Sequence, residues 1–266
     1  MKQITSPENP QYRMLQKLAQ SSRERRKAGL SLLDGIHLIA AYCESIGKPV
    51  QVAVSASALE NAEIAKVLAD MDPLQALVLS DGLFASLSTV STPTGIIASI
   101  HTPRAPALPE QLDACLFLDD IQDPGNLGSI LRSAAGAGIR QVCLSKHSVH
   151  SWSPRVLRAG MGAHFLLDIH EQCNLVELAR AYTGRVIVAT GDATKTVYEC
   201  NLTGRVALVF GNEGAGVSAE LRAAAGELAC IPTPGRIESL NVAAAAAVCL
   251  FERVRQLGAC AAGNAQ

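Results

Sequence analysis

Apolar and polar positions divide the chain into two stretches of different rhythm, separated by a proline-rich break. Up to residue 100 the segments alternate in type. LLDGIHLIAAYCESIG (32–47) and LENAEIAKVLADM (59–71) are spaced as helices, whereas VQVAVS (50–55), ALVLS (76–80) and GIIASI (95–100) are strand-like. These predict a small α/β domain over residues 31–100. HTPRAPALPE (101–110) has three prolines in ten residues and no apolar period, so residues 101–111 are expected to be a linker. Beyond it come short, continuously apolar runs: CLFLD (115–119), QVCLS (141–145), HFLLDI (164–169), RVIVAT (185–190), RVALVFG (205–211) and LACIP (228–232). Such runs, with helical stretches between several of them, predict a mostly parallel sheet with helices on both faces over residues 112–258. Residues 259–266 are expected to be a flexible tail.

Composition agrees with a globular class. The 266 residues are 48% hydrophobic but only 4% aromatic, an Ala, Val, Leu and Ile core. No apolar run approaches the roughly 18–20 residues of a membrane span, and MKQITSPENPQYRML lacks a signal peptide's apolar centre. A cytoplasmic location is the expectation. The eight cysteines contain no C-x-x-C pair, and most lie inside apolar runs, as Cys115, Cys143 and Cys230 do. They read as buried thiols, and the six histidines form no ligand grouping, so no metal is expected. Formal charge is −1, yet residues 1–30 hold seven cations against Glu8 and Glu24, a local +5 that leaves −6 for the rest. Such a basic N-terminal arm is either a solvated helix face or a phosphate-binding element.

Three loop motifs carry the candidate chemistry. In IQDPGNLGSILRSAAGAGI (121–139), Pro124-Gly125 makes a turn and Asn126 is expected as a helix N-cap. Leu127, Ile130, Leu131, Ala134 and Ala135 then form a core-facing stripe that Gly138 ends. Arg132 lies off the stripe, four residues after the bare Gly128, and is expected to lean back toward Asn126. An Arg and an Asn at a helix mouth suit an anion or a hydroxyl; a capped surface helix with an exposed Arg is the plain alternative.

LVFGNEGAGVS (208–218) is a strand running into a glycine-rich turn, with Gly211, Gly214 and Gly216 permitting close backbone approach. Dinucleotide-binding folds place such a turn after the first strand, and here it comes late. No Gly-Lys-Ser/Thr follows, which excludes a P-loop. The third motif, IPTPGRIESLNVAAAAAVCLFERVRQ (231–256), puts Ser239 and Asn241 before a helix that is apolar on every side in its early turns. The two polar residues are either caps or part of a binding site.

Together DPGNLGSILRSA, FGNEGAGVS and IPTPGRIESLNVA resemble the three signature motifs of the SpoU-type (TrmH-like) RNA ribose 2′-O-methyltransferases of the SPOUT superfamily. They stand in the family's order across residues 114–257. SPENPQYRMLQKLAQSSRERRKAG, LLDGIHLI and LSTVSTPTGIIASI resemble the arm and small RNA-binding domain of its ribosomal RNA members. The resemblance implies a deep C-terminal trefoil knot that holds S-adenosyl-L-methionine. It carries cofactor contacts to Gly211, Ile231 and Leu240, and the active-site polar set to Asn126, Arg132, Glu213, Ser239 and Asn241. It also implies a homodimer through the C-terminal domain. One departure is Gly160, where relatives commonly carry serine, so that position takes no role. Arg155 and Arg158 nearby read equally as RNA phosphate contacts or as a solvated pair.

The expected activity is methyl transfer to a ribose 2′-hydroxyl of structured RNA, ribosomal RNA before transfer RNA. A transfer RNA enzyme of the same family is the nearest alternative. A catalytically silent RNA-binding protein on this fold is disfavoured because all five polar residues are present, and a dehydrogenase because the glycine turn comes late.

Overall fold

The computed structural model describes residues 1–69, 71–72, 75–88, 93–235, 237 and 239–258. The tail expected at 259–266 lies outside the described residues. The chain forms two units, one of Met1–Pro103 with Trp152–Phe165, the other of Arg104–Ser151 with Leu166–Gln266.

The first unit contains β1 (Lys2–Ile4), α1 (Pro10–Gln20), α2 (Ser22–Ala28), β2 (Leu30–Asp34), α3 (Ile36–Ser45), β3 (Gln51–Ser55), α4 (Ala62–Ala69), β4 (Ala76–Leu79), α5 (Asp81–Ala85) and β5 (Ile96–His101). The strands make one mixed sheet in the order β1-β4-β3-β5-β2, with β5 antiparallel to both its neighbours. Alternation along the strands supplies two cores. Leu33, Val52, Val54, Ile96 and Ala98 join one, which also takes Trp152 and Leu157. Leu32, Ala53 and Ile97 join the other, with Tyr12, Leu15 and Leu18 of α1.

Residues 1–30, expected as an arm, fold into this unit. β1 pairs with β4, and α1 is started by Asn9, whose side chain accepts from the Gln11 amide, and by Pro10. Arg25 is buried and donates to the Leu18 carbonyl at 2.7 Å, closing the end of α1. It therefore leaves the basic surface, on which Arg23 and Lys27 stay exposed.

Two predicted elements differ from the structure. The run taken as one helix from Leu32 is a strand to Asp34 and a helix only from Ile36, with Gly35 (φ 111°) between them. β2 is buried on both faces, so its apolar run carries no period that separates strand from helix. HFLLDI contributes to a strand only from Asp168; Ala163–Phe165 is a 3₁₀ turn and Leu166 is exposed.

The second unit contains β6 (Cys115–Leu118), α6 (Pro124–Gly136) and β7 (Gln141–Ser145). α7 (Pro154–Gly160), with Arg155 exposed and Arg158 half-buried, belongs to the first unit. The chain continues through β8 (Asp168–Cys173), α8 (Leu175–Ala181), β9 (Arg185–Ala189), β10 (Val206–Phe210), α9 (Ala219–Ala224), β11 (Glu227–Ala229) and α10 (Val242–Gln256). Its sheet has six strands in the order β11-β9-β10-β6-β7-β8, and every pairing is parallel. The chain runs outward from β6 through β7 to β8, then returns to build β9 and β10 on the other side. The β6–β10 boundary is thus a point where strand order reverses, the usual place for a ligand in a parallel sheet.

Candidate active site

Three loops leave the carboxyl ends of β6, β10 and β11 and converge. The β6 loop turns at Asp120, whose φ of 56° is a left-handed conformation. Its helix cap is Asp123, not Asn126: the Asp123 Oδ1 accepts from the Asn126 amide at 2.8 Å. Pro124 opens the helix three residues earlier than the asparagine suggested. Asn126 therefore sits in the first turn with its side chain free for tertiary contacts. Gly128, read as a bare surface patch, is buried with Leu127, Ile130, Leu131 and Ala134.

The glycine turn after β10 closes on itself. Asn212 and Gly216 exchange two backbone hydrogen bonds of 2.9 Å, and Gly216 has a φ of 73°. The Asn212 Oδ1 accepts from the amides of Gly214 and Ala215, while its Nδ2 donates to the Asp120 carbonyl at 2.9 Å. At Gly211 a Cβ would overlap the Gly216 carbonyl carbon and the Val217 nitrogen. The glycine is needed because the loop folds back over it.

Glu213 projects from this turn to the α6 mouth. Its carboxylate accepts from the Asn126 Nδ2 at 3.0 Å and from the amides of Gln122 and Asp123 at 3.4 and 3.3 Å. The Asn126 Oδ1 in turn accepts from the Asn241 Nδ2 at 2.9 Å. The Asn241 Oδ1 caps α10 by accepting from Ala243 and Ala244. One unbroken chain, Glu213–Asn126–Asn241, thus links the three sequence motifs. Burial pushes the Glu213 carboxyl up, but the hydrogen bonds from Asn126 and the backbone outweigh it, and the group ends below its ordinary value.

A cleft of about 910 Å³ opens beside this chain. Gly211, Glu213, Ile231, Ser239, Leu240 and Asn241 all line it. Ser239 is exposed there and makes no hydrogen bond among the described residues. Asn126 is tied to the lining through Glu213 and Asn241. Arg132 is brought in least: it is exposed on α6, outside the lining, without a hydrogen bond or ion pair among the described residues. It lies about 9 Å along the helix axis from Asn126, by the rise of six residues. Sequence reasoning missed Thr190, Asp192 and Arg222, which also line the cleft. The signal was available in RVIVATGD, a strand whose carboxyl end carries two polar side chains. Among the described residues, no group of three or more His, Cys, Asp or Glu side chains could hold a metal ion. No described helix is long and apolar enough to cross a membrane.

Comparison with known proteins identifies both units. Residues 113–251 match the SpoU rRNA Methylase family, and residues 9–98 match an MRM3-like substrate binding domain. The chain is 30% identical to the 23S rRNA guanosine-2′-O-methyltransferase RlmP of Bacillus subtilis over 258 residues, 94% of this chain and 98% of that one. A crystal structure of an RNA 2′-O ribose methyltransferase superposes with a TM-score of 0.81 at 29% identity, covering 96% of this chain and 99% of that one. An AdoMet-bound rRNA methyltransferase from Sinorhizobium meliloti superposes at 0.80 and 26% identity, covering 96% and 98%.

Proposed function

The chain belongs to the SpoU rRNA methylase family, and on that premise we propose that it methylates a ribose 2′-hydroxyl of ribosomal RNA with S-adenosyl-L-methionine. The observation that carries this is the Glu213–Asn126–Asn241 chain, which joins all three motifs at the rim of one cleft.

The cleft suits the methyl donor. Its volume lies within the roughly 300–1,000 Å³ of small-molecule sites. Its lining includes the glycine-rich 211–217 loop and residues 230–233, and two carboxylates, Asp192 and Glu213, that suit a ligand whose sulfonium is cationic. In this reading Gly211, Ile231 and Leu240 hold S-adenosyl-L-methionine, which when bound supplies an electrophilic methyl group to the ribose oxygen. Asn126, Glu213 and Asn241 fix the relative position of the loops, and Ser239 offers its hydroxyl to the RNA. Arg132 grips the phosphate beside the target ribose, orienting the hydroxyl and stabilising charge that develops on it.

The same reading includes a deep trefoil knot, a cytoplasmic location and delivery of RNA by the first unit. It includes a homodimer as well. Phe251 of α10 is 50% exposed and stands over Gly136 of α6, whose added Cβ would lie 3.8 Å from the ring. That apolar face suits a second copy.

The test is incubation of the protein with radiolabelled S-adenosyl-L-methionine and ribosomal RNA, naked and in assembly intermediates. Label entering a single nucleotide, which then resists alkaline cleavage at its 3′ phosphodiester, is the expected result. Label in transfer RNA only, or in no RNA, would sink the assignment.

A further inference from the structure

The cleft holds a second polar cluster that the Glu213–Asn126–Asn241 chain does not use. Just beyond the end of β9 at Ala189, Thr190 and Asp192 line the cleft. Arg222 of α9 donates its Nη2 to both Asp192 oxygens, at 3.1 and 2.8 Å. The Thr190 hydroxyl donates to the Oδ1, and the Arg222 Nη1 reaches that hydroxyl at 3.3 Å. Asp192 is therefore gripped from two directions. A carboxylate has about four acceptor positions, and these partners occupy three, so one is left.

The other amide and carboxylate side chains of the cleft lining are engaged elsewhere. Asn212 closes its own turn, and Glu213 and Asn241 are spent on Asn126. Asp192 is the cleft carboxylate that stays outside that chain. Its place in the sheet matters too. β9 and β10 are adjacent and parallel, with Val188 opposite Val209. The glycine turn thus leaves one strand, and the carboxylate leaves the carboxyl end of its neighbour. In nucleotide-binding parallel sheets that same relation sets an acidic side chain against a ribose hydroxyl.

We propose that Asp192, oriented by Arg222 and Thr190, accepts a hydrogen bond from a ribose hydroxyl of the adenosine half of S-adenosyl-L-methionine. Arg222 is then a positioning residue, acting through Asp192. The inference rests on the cofactor assigned above. It explains why an exposed ion pair is built with three separate contacts at the lip of a cleft, where an ordinary surface pair contributes little. It also gives the cleft a way to prefer ribonucleosides, since the hydrogen bonds from Arg222 and Thr190 leave Asp192 an acceptor position to offer.

Calorimetry on the full chain tests this with S-adenosylhomocysteine and its 2′-deoxy and 3′-deoxy analogues. The unaltered protein is expected to bind the parent about tenfold more tightly than at least one deoxy analogue, the scale of one charge-assisted hydrogen bond. Asp192→Asn should weaken the parent about tenfold and erase the preference, while Arg222→Gln should reduce the preference in part. The idea is overturned if the unaltered protein shows no preference, or if Asp192→Asn keeps it. It is also overturned if Asp192→Asn weakens all three ligands equally, the mark of a contact to the amino acid end or of a mere brace. An unaltered protein that binds none of the three would overturn the cofactor assignment itself, a separate failure.

Discussion

The side chains of Asn126 and Glu213, 87 positions apart, meet at 3.0 Å with the asparagine as donor. Since the Asn126 Oδ1 is also engaged, by Asn241, both ends of its amide serve the protein. This distributes the work of the polar set unevenly: Asn126 aligns loops, and groups with spare capacity are left to meet substrate.

Glu213 is the group in that chain that titrates. Its carboxyl is held below the unfolded value of about 4.3. It therefore contributes stability above that value and loses it as pH falls through the lower folded value. Glu213→Gln keeps the size but turns an amide donor toward backbone N–H groups. The variant should be less stable at pH 7 by roughly 1 kcal/mol, the worth of a hydrogen bond at an exposed site. The gap to the unaltered protein should close below about pH 4, and urea unfolding from pH 3 to 8 measures it. A pH-independent gap would mean that the charge contributes nothing.

Gly211 yields a different expectation from the one its motif suggests. The resemblance makes it a cofactor contact whose side chain would intrude on the ligand, but a Cβ there meets the backbone of Gly216 and Val217 first. Gly211→Ala should therefore harm the protein before any ligand is added. Overpacking of this kind costs about 1–3 kcal/mol, and each kcal/mol lowers the midpoint by about 2–4 °C at this chain length. A melt of the ligand-free variant that matches the unaltered protein, together with lost S-adenosylhomocysteine binding, would restore the simpler role.

What was legible in the sequence follows from how each feature is encoded. β6 and β10 are buried along their whole length and β7 and β9 through their middles, so these four stand out as apolar runs, whereas β8 and β11 are largely half-buried. Glu213, Ser239 and Asn241 lie in loops whose glycine and proline content marks them. Strand order and pairing were not legible, because nothing local in RVALVFG tells β10 to insert between β6 and β9. The role of Asn126 was misread for a related reason. DPGN offers two capping side chains, and only the tertiary contact to Glu213 shows that Asp123 caps and Asn126 bridges. RVIVATGD marked Thr190 and Asp192 at a strand end, but nothing in the sequence tied Asp192 to Arg222, thirty positions on.

The basic surface of the first unit can be tested without dismantling it. Removing residues 1–103 would bare Trp152 and Leu157, which pack into that unit's core, so charge reversal is the cleaner change. Arg23, Arg26 and Lys27 are exposed on α2, whereas Arg25 caps α1 and should be left alone. Replacing the three with Glu should weaken ribosomal RNA binding and flatten its salt dependence, by about 0.7–0.9 in log–log slope for each phosphate no longer neutralised. S-adenosylhomocysteine affinity should not change. RNA binding with an unaltered salt slope would move the phosphate-binding surface to another face.

Arg132 has two roles open to it, and they separate cleanly. A ribose hydroxyl must lose its proton as its oxygen attacks the methyl carbon. An arginine could act as base, but a guanidinium stays protonated wherever proteins are folded. As an anchor it has what it needs: it is exposed, without a partner among the described residues, and on the helix whose first turn holds Asn126. Its planar fork matches a phosphate with two parallel hydrogen bonds, and a lysine supplies only a point charge. Arg132→Lys distinguishes the two. An ammonium, with a reference pKa near 10.4, would work as a base and improve as pH rises. As an anchor it fails at every pH, with single-turnover methyl transfer lowered by roughly 10²-fold, the scale of lost positioning and charge stabilisation. S-adenosylhomocysteine should bind the variant as before, since Arg132 lies outside the cleft lining. Rates measured from pH 7 to 10 should run parallel to those of the unaltered protein, and recovery at the alkaline end would make Arg132 the base.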